Sequence, residues 1–262
     1  MASDNILCEK DGAVGRLIFN NPARHNAVSL EMWEAAEQVL HDLSGDDEVR
    51  VIVVTGAGEK AFVSGADVSK FGDERATAEA VAHYNVVVAR AMQALHEAAK
   101  PTIAMIRGYC IGGGVGLAIG CDLRFCAEGS RFGIPAARLG LGYGIDGVGR
   151  LVDLVGPAFT KEIFFTARQF SAAEAREMGL INRVVPKEQL ESYVREYAGA
   201  IGGNAPMTIR TLKATVAEAV TDPERRDLDK IARMIDECFA SEDYREGRTA
   251  FMEKRKPRFR NR

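Results

Sequence analysis

Apolar residues recur along this chain in two rhythms. Residues 13–20, AVGRLIFN, alternate as a half-buried strand does, and NNPARHNA then interrupts them at Pro22. From Ser29 to Leu43 the positions Leu30, Trp33, Val39, Leu40 and Leu43 return at helical intervals. Ser29 is the predicted N-cap, without a capping box because Met32 stands three residues on. Residues 50–58, RVIVVTGAG, form a β-branched run ended by glycines, the pattern of a buried parallel strand. A loop, AFVSGADVSKF, precedes a long helix from about Thr77 to Ala98, and PTIAMIRG (101–108) is a further strand.

This alternation of strand and helix favours right-handed βαβ units and a parallel sheet. After residue 150 the periodicity turns helical, over 157–167, 171–178, 187–201, 206–220 and 223–240, with one short extended piece, INRVVP. The expected fold class is therefore α/β, with a core over residues 1–200 and a helical C-terminal region over 201–262.

Composition narrows the function. A chain of 262 residues, 47% hydrophobic and 27% charged, buries a sizeable core without disulfides or metal. Its net charge of −3 gives no global attraction to nucleic acid or to an anionic membrane. The five cysteines make an odd count with no C-x-x-C pair, which points to a reducing, cytoplasmic setting. MASDNILCEKDG lacks a basic segment followed by an apolar one, so no signal peptide is expected. The longest uncharged run, 108–121, is too short and too rich in glycine to span a bilayer. KRKPRFRNR, at the end of the chain, carries six basic residues and reads as a solvated tail.

The most unusual stretch is GYCIGGGVGLAIGCD (108–122), with six glycines. Such density implies that something approaches the backbone closely. GYGIDG (142–147) matches a dinucleotide fingerprint, but no apolar strand precedes it. A P-loop motif is absent, the four histidines are scattered without ligand spacing, and G-x-S-x-G does not occur. What remains is a site built from backbone groups.

The segments NNPARHNA, AFVSGADVSKF and GYCIGGGVGLAIGCDLRFCAEGSRFGIPAARLGLGYGIDGVGRL resemble the crotonase (enoyl-CoA hydratase/isomerase) superfamily. TARQFSAAEAREMGLINRVVP and AFMEKRKPRF extend the resemblance from about Val14 to Phe259. It implies a spiral of ββα units with a helical C-terminal trimerisation region, assembled as a trimer or a dimer of trimers. It also implies an acyl-CoA substrate, with coenzyme A as part of the substrate, and no other cofactor or metal. The thioester oxygen would sit between the amides of Ala66 and Gly113, which stabilise an enolate as its charge develops. Coenzyme A would be held by Arg24, Ala27, Ser64, Ala66, Asp67 and Val68, with Phe251 and Lys254 near the adenine and phosphates of a neighbouring subunit.

The pattern departs from the resemblance at the acids. Where the hydratases carry glutamates, two residues after G-G-G and just after the proline of F-G-x-P, this chain has Gly116 and Ala136. Neither can activate water or deliver a proton. Methylmalonyl-CoA decarboxylases of the superfamily have a tyrosine in register with Tyr143 and a similar C-terminal segment, although they carry a histidine where this chain has Ala66. Decarboxylation is thus one implied reaction. Hydration or isomerisation through another acid, such as Asp146, is a second, and a non-catalytic CoA-binding subunit is a third. Asp146 also reads as the cap of a helix beginning at Gly147.

Overall fold

A computed structural model describes residues 4–74 and 76–261. Its first strands, β1 (Ile6–Asp11) and β2 (Val14–Phe19), form an antiparallel hairpin that turns at Gly12. The sequence pattern does not show β1, because beyond Leu7 this edge strand is polar and exposed. Helix α1 (Leu30–Gly45) is capped as expected by Ser29, whose hydroxyl accepts the Met32 N–H. Strand β3 (Val51–Gly56), buried at every position, leads through β4 (Ala61–Val63) to the short α2 (Phe71–Glu74) and the long α3 (Ala78–His96).

This two-strand, one-helix cycle then repeats. It continues as β5 (Thr102–Ile106), β6 (Tyr109–Ile111) and α4 (Gly113–Gly120). It recurs as β7 (Leu123–Ala127), β8 (Arg131–Gly133), α5 (Ala136–Leu139) and α6 (Ile145–Thr166). Helix α6 begins earlier than the expected 157 and is broken at Gly156 (φ +76°), where Pro157 lacks the N–H a continuous helix needs. After β9 (Phe170–Ser171) come α7 (Ala172–Glu177), β10 (Arg183–Val185) and α8 (Leu190–Gly202).

Each cycle puts its longer strand in one sheet and its shorter strand in another. The large sheet runs β1-β2-β3-β5-β7-β10 and is parallel from β2 onward. The small one runs β4-β6-β8-β9. Three residues are too few to show alternation, so the second sheet leaves no mark in the sequence pattern. Between the large sheet and α1, α3 and α4 lies the main core, which includes Phe19, Trp33, Leu40, Phe62 and Phe132. The opposite face is covered by α8, where Leu190 and Val194 pack on Val51, Val53, Ile103 and Phe125. Burial on both faces explains why these strands read as continuous apolar runs.

The chain ends in α9 (Pro206–Val220), α10 (Leu228–Ala240) and α11 (Glu242–Met252). Lys213 fastens α9 to the core through Asp122 (2.8 Å) and the Lys100 carbonyl (3.0 Å). The basic tail is exposed but tied to the folded chain by hydrogen bonds. Arg255 pairs with Glu246 through both guanidinium nitrogens, and the same carboxylate accepts the Arg258 N–H. These bonds, those from Arg255 foremost, hold the Glu246 carboxyl at a pKa of about 2. Buried Asp243 accepts the N–H groups of Arg260 (2.6 Å) and Asn261 (2.9 Å), and Arg50 donates to the Phe259 carbonyl.

Asp243→Asn replaces one of two acceptor oxygens with a donor facing an N–H. We expect a loss of about 2 kcal/mol in denaturant unfolding, the scale of a charge-assisted hydrogen bond. Faster amide exchange at Arg260 and Asn261 should accompany it.

Candidate active site

The loop after β2 is organised by Asn26, which is fully buried. Its side-chain amide donates to the carbonyls of Ala57 (3.0 Å) and Ala61 (2.8 Å), and its Oδ1 accepts the Asn21 N–H. This fixes the following residues against the end of β4. A single parallel bridge joins Val28 to Ala66, using the Val28 N–H to the Gly65 carbonyl and the Asp67 N–H to the Val28 carbonyl. The Ala66 N–H is thereby left pointing away from Val28, and it has no acceptor among the described residues.

The glycine run supplies the second amide. Gly112 has a φ of +56° and turns the chain from β6 into α4. Gly114 is required by packing: a Cβ there would lie 2.1 Å from the Val63 carbonyl oxygen. The first turn of α4 therefore rests directly on the end of β4. That seating brings Gly113 beside Gly65; a Cβ placed on Gly65 would be 3.9 Å from the Gly113 nitrogen. As the first residue of α4, Gly113 has no partner for its N–H within the helix, and none elsewhere among the described residues. Two unoccupied N–H donors thus belong to adjoining segments. The second lies at a helix N-terminus with no acidic residue in its first turn, so the local potential favours an anion.

Positions 116 and 136 hold small residues. Gly116 is partly exposed, and a Cβ on it would meet only the flexible Met92, 3.2 Å from its methyl. Ala136 is buried at the start of α5. Tyr143 sets its ring edge against Phe164, centroids 5.0 Å apart, and is 45% exposed. Asp146 does not cap a helix at Gly147: α6 begins at Ile145 with Gly144 as N-cap, so Asp146 is an exposed second residue of the first turn. Sequence reasoning missed Glu74. One of its carboxylate oxygens accepts the Leu30 N–H at the start of α1 (3.0 Å), and the other is buried with no partner among the described residues. In the sequence it is one acid among others in the stretch that follows S-G-A-D.

Three of the residues expected to hold CoA, Arg24, Ser64 and Asp67, are joined by hydrogen bonds. Arg24 pairs with both oxygens of Asp67 (3.1 and 3.0 Å) and with the Ser69 hydroxyl. Ser64 donates its N–H to the His25 carbonyl, and its hydroxyl reaches the Arg24 carbonyl at 3.4 Å. Ala27 is buried one residue before the bridge, and Val68 is exposed just beyond it. Burial opposes the charge on Asp67, but bonds from the Ser69 hydroxyl and amide and from Arg24 outweigh it and hold the carboxyl below its ordinary 3.8. Arg24 is thus paired and only half exposed, not simply solvated. Phe251 is 82% exposed at the end of α11, and Lys254 turns the chain just beyond it with a φ of +53°. The thiols of Cys110, Cys121 and Cys126 are buried and pushed upward by that burial, Cys121 and Cys126 to about 12, which makes them poor nucleophiles.

A spiral of two-strand, one-helix turns, with the S-G-A-D loop lying against the N-terminus of a glycine-rich helix, is the crotonase fold. The chain belongs to the enoyl-CoA hydratase/isomerase family, whose model matches residues 9–262. It is 35% identical over 256 residues to the short-chain-enoyl-CoA hydratase of Clostridium acetobutylicum, covering 98% of this chain and 97% of that protein. It is 34% identical to the crotonyl-CoA hydratase of Syntrophomonas wolfei, covering 99% of both. A solved enoyl-CoA hydratase/carnithine racemase from Magnetospirillum magneticum superposes with a TM-score of 0.93 at 33% identity, over 99% of this chain and 97% of that one.

Two outcomes test this geometry. Gly114→Ala should cost about 3 kcal/mol in denaturant unfolding, because backbone cannot yield as a side chain does. Gly116→Ala should be neutral or stabilise by up to about 1 kcal/mol through helix propensity. Separately, Asp67→Asn should lower Tm at neutral pH. The depressed carboxyl contributes fully above the unfolded value near 3.8 and loses its contribution as pH falls through the folded value. The Tm difference between wild type and Asp67→Asn should therefore persist at pH 6–7 and shrink below about pH 4.

Proposed function

We propose that this protein acts on an acyl-CoA thioester by stabilising its enolate, and that the reaction is decarboxylation of a malonyl-type CoA thioester. The observation that carries this reading is a pair of amides without an acceptor among the described residues, Ala66 and Gly113, in a chain whose positions 116 and 136 hold no acid. In decarboxylation the bond from Cα to the carboxylate breaks and CO₂ leaves. The electron pair passes into the thioester, placing negative charge on its oxygen, where the two N–H groups donate. Cα then takes a proton from a nearby hydroxyl or from water. No protein base removes a proton at any point, which suits a site lacking both glutamates. Tyr143 is the proposed proton donor.

The CoA moiety is assigned to the loop of Arg24 and Ala27 and to Ser64, Asp67 and Val68, with Phe251 and Lys254 serving a neighbouring subunit. Self-association as a trimer or dimer of trimers is part of this proposal. It is supported by exposed apolar residues at helical spacing on α9 (Leu212, Val216, Val220) and by Phe239 on α10.

A second reading rests on Glu74. A carboxylate fixed through one oxygen, with the other buried and unpartnered, is suited to moving a proton, and relatives of this chain are named hydratases. Asp146, exposed and in the first turn of α6, is the alternative acid.

The deciding experiment supplies malonyl-CoA, methylmalonyl-CoA and crotonyl-CoA to the purified protein. Release of CO₂, reduced about tenfold or more in Tyr143→Phe, is the expected result. A wild type inactive on both malonyl-type thioesters overturns the decarboxylation. Hydration of crotonyl-CoA that disappears in Glu74→Gln or Asp146→Asn establishes the second reading, and calorimetric binding without any turnover identifies a non-catalytic CoA-binding subunit.

A further inference from the structure

Beneath the Gly113 amide lies a side chain that neither the motif pattern nor the acyl-CoA reading employs. Trp33, on the first turns of α1, is 1% exposed, and its six-membered ring lies directly under Gly113. A Cβ on Gly113 would touch the ring at 3.5 Å from Cζ2 and 4.0 Å from Cη2. Two further contacts hold the ring in place. Phe19 of β2 meets it edge-on, centroids 6.0 Å apart at 68°, and its indole N–H donates to the hydroxyl of buried Tyr84 on α3 at 3.2 Å. The ring is thus fixed to three elements, and its one polar atom is satisfied.

Resting on the proposed enolate-stabilising function, we infer that Trp33 is the positioning residue of the Gly113 donor, with the Tyr84 hydroxyl as its anchor. The physical reason is the flexibility of what it supports. Gly112 and Gly113 have no side chains to hold their peptide by packing, and the Gly113 N–H has no internal acceptor to fix its direction. Val63 supports the turn from one side at Gly114, and the Gly112 N–H is tied to the Gly133 carbonyl at 2.8 Å. The underside of Gly113 is closed by the indole. A smaller ring leaves a gap there, and the peptide can tilt into it. A donor displaced by about 1 Å forfeits up to about a hundredfold in rate. The anchor has a further consequence. Tyr84 belongs to α3, whose Met92 lies against Gly116, so one rigid helix joins the space beside α4 to the floor of the Gly113 amide.

The test uses acetoacetyl-CoA, a 3-oxoacyl thioester whose bound enolate is visible by its near-ultraviolet absorbance, together with free CoA. It compares wild type, Trp33→Phe, Trp33→Leu and Tyr84→Phe. We expect wild type to hold the probe as enolate. The Trp33 variants should lower the ratio of enolate to keto form by about tenfold or more, and Tyr84→Phe by about threefold. Affinity for free CoA should stay within about twofold throughout. Loss of stability alone would lower Tm and binding but leave the enolate ratio at saturation unchanged. Should Trp33→Leu fail to fold, Trp33→Phe keeps most of the ring volume and Tyr84→Phe removes a single hydroxyl. An unchanged enolate ratio in both of these overturns the inference. A wild type that binds the probe without enolising it refutes instead the enolate-stabilising function on which the inference rests.

Discussion

The candidate site depends on how closely the first turn of α4 sits on the end of β4. With Gly114 opposite the Val63 carbonyl, no side chain separates helix from strand, and any Cβ would collide with backbone. This contact sets where the helix begins, and the helix start decides which amide lacks an internal partner. It also brings that amide beside Gly65, the residue before the other unoccupied N–H. Two open donors on successive turns of the spiral therefore lie in adjoining segments, and both belong to the backbone. Packing at Gly114 from one side and at Gly113 from Trp33 on the other limits how far the turn can move, and a fixed direction gives such donors their effect: their dipoles need not reorganise when charge appears.

The surroundings are consistent with that electrostatic design. Helix α4 carries no charge along its length, so the positive potential at its N-terminus is not offset locally. The ion pair of Arg24 with Asp67 is internally neutral and fixes the loop beside Ala66. Its guanidinium remains half exposed, so it can still meet an anionic group from outside while Asp67 keeps it in place. Arg24 is thereby preordered, and a phosphate it met would pay less to immobilise it.

Much of this was legible in the residues themselves. Apolar runs at 50–58 and 101–108 marked strands buried on both faces, and helical stripes placed α1 and α3 nearly to the residue. The family resemblance supplied the spiral and named Ala66 and Gly113. What the pattern could not carry was anything short or non-local. Strands β4, β6 and β8 have three residues each and are defined by their neighbours. The Gly114 constraint is set by a carbonyl 51 positions away, so a triple glycine alone does not reveal which of its members answers to packing and which to an open amide. The tail reads as solvated because its charge is visible in sequence, whereas the Glu246 and Asp243 carboxylates that bind its backbone are not marked as partners. Glu74 and Trp33 are ordinary residues by periodicity. Only the unpartnered oxygen of one and the position of the other under Gly113 distinguish them.

Magnitudes help to weigh the absent glutamates against the names of the relatives. A positioned acid or base contributes about 10²–10⁴-fold, and removing one oxyanion donor costs about 10²–10³-fold. Hydration here would need an acid from outside positions 116 and 136, because a pair of amides stabilises an enolate but does not form one from an alkene and water. Sequence identity near 35% does not outweigh that chemistry, because it is spread over the whole chain and the reaction turns on two positions. A substrate that brings its own electron pair, released with CO₂, needs the amides and not the acids. That asymmetry, open amides at Ala66 and Gly113 and no acid at 116 or 136, is the physical argument for placing the proposed reaction among those in which the leaving group does the work of a base.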